Sequence, residues 1–202
     1  MDDIDRIFTF WLEPKPETEA EADARWRFWF TSSDAVDRDI RERFGPLVAK
    51  ARQGELDGWT ATPRGTLALI VLIDQFSRNL HRGTPDAFSA DGKALEIARW
   101  GFANLMFAGF DVFDNLFAAL PFRHAESVKS QRIALDIAQQ DALRGKPEFM
   151  RFLTDSVEYA RKHYDVIARF GRFPHRNATL GRATTAEEAD YLEYLKFVGQ
   201  WL

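Results

Sequence analysis

The chain has 202 residues, no cysteine, 18 phenylalanines and six tryptophans, with 27 basic against 31 acidic residues and a formal charge of -4. That length fits one domain able to bury roughly 70% of its unfolded surface without staples. Lack of cysteine excludes disulfides, thiolate nucleophiles, zinc–thiolate sites and iron–sulfur clusters, and the mild acidity argues against a protein that coats nucleic acid.

Helical periodicity dominates from the start. Ile4, Ile7, Phe8 and Trp11 share one face of a first short helix, stopped by Pro14 and Pro16. Residues 17–30 are charged first and aromatic last, with Trp26, Trp29 and Phe30 at the end. The cluster Thr31–Asp34 offers N-caps for a helix carrying Val36, Ile40, Phe44 and Val48, which Gly54 and Gly58 close. Thr62-Pro63 restarts the chain as an N-cap followed by proline, and that helix runs to about Leu80. Ser89 caps a helix from Ala90 to about Asn104. One short helix then ends before Pro121, and the turn Pro121–Ser127 opens the next, which runs to Leu143. Residues 148–170 form a long helix with Gly171 as C-cap. Thr184/Glu187 or Thr185/Glu188 is a capping box for a last helix carrying Tyr191, Leu192, Leu195 and Val198. No segment alternates like a strand. The expectation is one all-α domain over 1–202, with eight or nine helices stacked as antiparallel hairpins and no legible 34-residue repeat.

The N-terminus MDDIDRIFTFWLEP is acidic and lacks the basic region of a signal peptide, and the longest aliphatic run, Leu67–Ile73, is far too short to span a membrane. A cytoplasmic protein with no membrane partner is expected. Leu67–Ile73 is apolar on every face, so its helix is central and buried.

Four polar groups stand out. At 100° per residue, Asp74, Arg78 and His81 continue the buried stripe of Leu67, Ile70 and Val71. Either Asp74 and Arg78 satisfy each other as an i,i+4 pair, or the stripe opens into a polar pocket. The turn carrying His124 and Glu126 offers an anion site at a helix N-terminus, or a first-turn acid that complements the helix dipole. His163 follows Tyr159 by four residues on an apolar face, as a satisfied core histidine or a catalyst. Between Arg161 and Arg182 the only acid is Asp165, against Arg161, Lys162, Arg169, Arg172, Arg176 and Arg182. Arginine forks suit carboxylate and phosphate oxygens, but the same arginines also serve structural ion networks, as Arg172 and Arg176 would if paired with Asp74 or Glu126. No recognised metal-ligand spacing and no G-x-S-x-G element is present, so neither a metal nor a cofactor is expected.

At these residues the sequence resembles a known family. LIDQFSRNLHRGTPDAFSAD (72–91), PFRHAES (121–127) and HYDVIARFGRFPHRNATLGRATTAEEADYL (163–192) are similar to the bacterial domain-of-unknown-function family 924 over nearly the whole chain. The resemblance implies an all-helical, tetratricopeptide-like superhelix and supplies no reaction. The match to the family's motifs singles out Asp74, Gln75, Arg78, Asn79 and Arg82, then His124 and Glu126, then His163, Arg169, Arg172, His175, Arg176, Asn177 and Arg182. The family more often has Ser after the histidine of the turn and Pro between Phe and Arg of the first motif; here these are Ala125 and Ser77, so no role carries over for a hydroxyl at 125.

Two functions follow as expectations. One is a binding module whose groove holds an acidic peptide or a small anionic ligand through Arg78, Asn79, Arg82, Arg169, Arg172, His175, Arg176, Asn177 and Arg182. The other is an enzyme on a phosphate or carboxylate compound, with His124 or His163 as acid and base, Asp74 or Glu126 as orienter, and Arg172 and Arg176 as clamps. RNA binding through Phe170 and Phe173 is disfavoured, because those rings suit the core and the net charge is unhelpful.

Overall fold

The computed structural model describes residues 1–197, so Val198 of the last expected helix lies outside the described residues. Among those residues the chain is all-α, as its periodicity indicates. α1 (Asp3–Ile7) runs on through a π-helical turn, Phe8–Leu12. α2 (Glu19–Phe30) starts at a capping box in which Thr18 and Glu21 bond each other's backbone amides. α3 (Asp34–Gln53) begins at Ser33 and ends at Gly54, whose φ of 90° supplies the left-handed cap. α4 (Pro63–Ile70), a π-helical segment (Val71–Phe76) and α5 (Ser77–Leu80) follow as one rod capped by Thr62. α6 (Asp91–Ala103), α7 (Val112–His124), α8 (Val128–Arg144), α9 (Met150–Phe170) and α10 (Ala186–Phe197) complete the order.

The rod from Pro63 to Leu80 is the axis. Every side chain from Gly65 to Ser77 is buried, and the rod packs against α1, α3, α6 and α7. That burial follows from its all-round apolar sequence, since a helix with no polar face is stable only inside. One large cluster runs from Ile7 to Leu153, with Trp11, Phe44, Phe76 and Phe117 fully enclosed. From α7 onward neighbours in sequence are neighbours in space: α7 packs on α8, and α8 on α9. α2 closes back over α9. A small cluster of Val166, Ile167 and Phe173, with Phe170 and Tyr191 against it, seats the 171–185 loop and α10. Phe173 therefore fills the interior, and half-buried Phe170 packs against it.

Three boundaries differ from the sequence reading. Ser89 caps nothing: α6 begins after Ala90, and the Ser89 hydroxyl instead donates to the Asp86 carbonyl and accepts from Arg52. α7 starts at Asp111, whose carboxylate accepts from the Phe113 and Asp114 amides, and it passes through Pro121 to His124. Proline ends a helix only where the lost bond and ring clash outweigh packing; here Leu116–Arg123 is buried on all sides. The PFRHAES turn therefore closes α7 rather than opening α8, which Ser127 caps. Arg123 and His124 fall at the negative end of the α7 dipole, the opposite of an anion-binding N-terminus.

Candidate functional site

Six regions meet at one cavity of about 290 Å³. The end of α2 contributes Trp26 and Phe30, α5 Arg78, and the short 3-10 turn Pro85–Phe88 contributes Phe88. α7 adds Leu120, Arg123 and His124, α9 adds Tyr159 and His163, and the loop after Gly171 adds His175 and Arg176. Three of the protein's four histidines thus share one wall with three arginines.

The π-helical segment explains how Asp74 comes to face this wall. One extra residue per turn breaks the 100° register, so the stripe from Leu67 does not reach His81. His81 instead meets Arg52 of α3 at 2.7 Å. Asp74, with no exposed surface, accepts from Gln75 at 2.5 Å, from Arg78 at 3.5 Å and from Nδ1 of His124 at 2.7 Å. Burial alone would raise the Asp74 carboxyl; His124, Arg78 and Gln75 outweigh it and hold it well below the usual carboxylate range. An ionised carboxylate only accepts, so Nδ1 of His124 carries the hydrogen and Nε2 keeps its lone pair. Burial, helped by the Arg78 charge, pushes His124 below the ordinary histidine value, so the neutral base is the resting form.

His163 has the same polarity. Its Nδ1 donates to the Tyr159 carbonyl at 2.8 Å, leaving Nε2 as acceptor, and burial together with Arg123 pushes its pKa well down. Its ring meets the edge of Phe173. His175 falls to about 4, chiefly through burial and then through Arg176 and Arg78.

The arginines are unequally answered. Asp91, the first residue of α6, accepts from Arg78 at 2.7 Å and from Arg176 at 3.3 Å. Phe88 lies between the same two guanidinium groups, 5.3 Å from Arg78 and 4.7 Å from Arg176. Among the described residues no carboxylate pairs with Arg123. Only 4% exposed, it donates weakly to the Ser156 carbonyl at 3.5 Å and hydroxyl at 3.4 Å. Among the described residues its Nε has no partner, nor do the buried Nε atoms of Arg78 and Arg176. Burial lowers both Arg123 and Arg176 to about 10, so both stay charged at neutral pH.

Of the residues singled out in sequence, Asp74, Arg78, His124, His163, His175 and Arg176 converge here. The rest lie outside the cavity lining. Asn79 and Arg82 bind Asp37. Arg169 pairs with Glu187 at 2.8 Å. Arg172 makes a two-pronged bond to Glu188, which also takes the Asn177 amide and the Thr185 backbone amide. Arg182 grips both oxygens of Glu126, whose carboxylate also accepts from the Phe173 amide. These bonds shape the loop that presents His175 and Arg176. Glu126 instead borders a second, outer groove with Ser127, Asp91 and Leu180, which shares Phe88, His124 and Arg176 with the cavity. Arg172 and Arg176 pair not with Asp74 or Glu126 but with Glu188 and Asp91, so Arg172 serves a structural ion pair with a partner other than those expected.

Sequence reasoning missed Arg123, Asp91 and the aromatic wall. Arg123 and Asp91 lie inside the very segments that carry the family resemblance, but neither had a spacing that marked it. Trp26/Phe30 is an i,i+4 aromatic pair that periodicity assigns to the core. Among the described residues no three His, Asp or Glu side chains are grouped to hold a metal ion, and no helix is long and apolar enough to cross a membrane.

Comparison with known proteins agrees with this architecture. A protein of unknown function from Agrobacterium tumefaciens shares 34% identity, with a TM-score of 0.79 over 95% of this chain and 97% of that one. No curated protein matches the chain. The profile of the family described as bacterial protein of unknown function (DUF924) matches residues 7–195, which span every helix that builds the cavity, and the chain belongs to that family.

Proposed function

We propose that the protein binds a small organic anion in the cavity beneath the 171–185 loop. The observation that carries this reading is Arg123, a buried cation on the cavity wall that no carboxylate among the described residues neutralises. Desolvating a guanidinium costs several kcal/mol unless a partner repays it, and an anion in this cavity would be that partner. Of the two occupants expected from sequence, a cavity of about 290 Å³ favours a small molecule over an acidic peptide. The sequential packing of α7, α8 and α9 supports a stacked-hairpin, tetratricopeptide-like reading of the scaffold around it.

The test is thermal denaturation with acetate, benzoate and inorganic phosphate. At least one anion should raise the melting temperature of the wild type and of Arg82→Ala, whose guanidinium pairs with Asp37 away from the cavity. The same anion should not shift Arg123→Met. A shift that survives in Arg123→Met places the anion elsewhere and overturns the reading.

A second reading is favoured by the Asp74–His124 pair. A neutral imidazole held in one tautomer by a buried carboxylate, beside cationic clamps, is the equipment of general base catalysis. In that reading His124 takes the proton, Asp74 orients it, and Arg123 and Arg176 hold the anion. A screen of carboxylate and phosphate compounds for turnover tests it. His124→Gln should keep anion binding and lose turnover; retained turnover excludes His124 as the base.

A further inference from the structure

Charge and shape together narrow the occupant further. Three guanidinium groups, those of Arg78, Arg123 and Arg176, face two carboxylates, Asp74 and Asp91. The histidines are driven neutral by burial, so they add no charge near pH 7. Among the described residues one positive charge is therefore unanswered. A carboxylate answers it with one negative charge; a phosphate monoester dianion would leave an excess charge buried, which is costly.

The rest of the lining is apolar and rich in rings. Trp26, Phe30, Phe88, Leu120 and Tyr159 face the cavity, and Phe30 leaves 39% of its surface uncovered. Trp26 meets Phe30 at 4.6 Å and Tyr159 at 5.2 Å, both tilted by about 55° (55° and 56°), so the rings form a corner rather than a closed stack. A further flat ring fits such a corner edge-to-face, the arrangement aromatic groups prefer. A volume of about 290 Å³ suits one ring and its head group.

We infer that the cavity takes a monoanion with a flat apolar body, the chemistry of an aryl carboxylate, its head group toward Arg123 and its ring against Trp26, Phe30 and Tyr159. This rests on the anion site proposed above. The carboxylate would accept from the Arg123 guanidinium, while the ring removes from water the aromatic surface that the protein leaves uncovered.

Calorimetric titration of the full chain with sodium acetate, benzoate, inorganic phosphate and phenyl phosphate at pH 8 tests this. Benzoate should bind about tenfold or more tightly than acetate, reflecting the ring surface buried. It should also bind more tightly than either phosphate. Phe30→Ala and, independently, Tyr159→Leu should weaken benzoate several-fold and leave acetate unchanged. Equal affinity for acetate and benzoate overturns the apolar body while leaving the anion site standing. Tighter binding of phosphate or phenyl phosphate than of benzoate overturns the single-charge argument. Binding of none of the four, with the protein folded, overturns both this inference and the anion site.

Discussion

Arg123 separates stability from function at the level of one side chain. Removing an unneutralised buried charge relieves its desolvation cost, so Arg123→Met should melt at the same temperature as the wild type or higher while losing its response to anions. Thermal denaturation with and without benzoate reads both effects in one experiment. Asp74 is the reverse case. It is fully buried and holds His124, Arg78 and Gln75 together. Asp74→Asn leaves those donors without their charge partner and should destabilise by about 3–5 kcal/mol in chemical denaturation. The carboxylate also holds His124 up against burial and Arg78. Its loss should therefore move the His124 titration to lower pH, as NMR of the imidazole carbons would report. Both residues lie within the quoted motifs, yet only Asp74 was legible, because a carboxylate ending an apolar run announces a need for a partner. Arg123 sits between Phe122 and His124 with no spacing that marks it, and its isolation from a carboxylate exists only in three dimensions.

Helix ends and close contacts decide where the elements place these groups. The caps at Ser33, Thr62 and Gly171 were readable because they are local: a short polar side chain or a glycine meets amides or carbonyls within a few residues. The passage of α7 through Pro121 was not readable, because tertiary packing overrides the local cost. The same is true of the π turn at Val71–Phe76, which no spacing rule reveals. α6 illustrates a third kind of constraint. A β-carbon on Gly101 would lie 2.5 Å from the Phe107 ring. Gly101→Ala should therefore cost about 1–3 kcal/mol by overpacking, despite alanine's better helix propensity. Urea unfolding of that variant checks it; unchanged stability would mean that the segment after α6 moves aside freely.

For the whole molecule, acid sensitivity follows from the neutral histidines. A histidine whose folded pKa lies below its unfolded value of about 6.5 binds fewer protons folded than unfolded, so its contribution is complete above that value and is lost as pH falls. His124, His163 and His175 all shift this way. Each can add a slope approaching 1.4 kcal/mol per pH unit below about 6.5. Asp74 and Glu188, both lowered, add their losses further down, through the carboxylate range near 4. Asp114 and Asp141, raised by burial, act in the opposite sense and above the unfolded carboxylate value near 4, where they offset part of the histidine loss. The melting temperature should therefore fall steadily from pH 7 to pH 5, and His175→Gln should flatten part of that fall. A profile flat across this interval would mean that the histidines are not buried neutral.

By itself the sequence determined the all-α class, the buried central rod, most caps and three of the segments that contribute to the cavity. These are matters of periodicity and of contacts between residues close along the chain. The tertiary structure alone decided which of the basic residues face inward. Arg82, Arg169, Arg172 and Arg182 each meet a carboxylate from a distant segment, while Arg123 meets none. Charge pairing across 16 to 56 residues of chain depends on how helices are juxtaposed, and no local pattern encodes it.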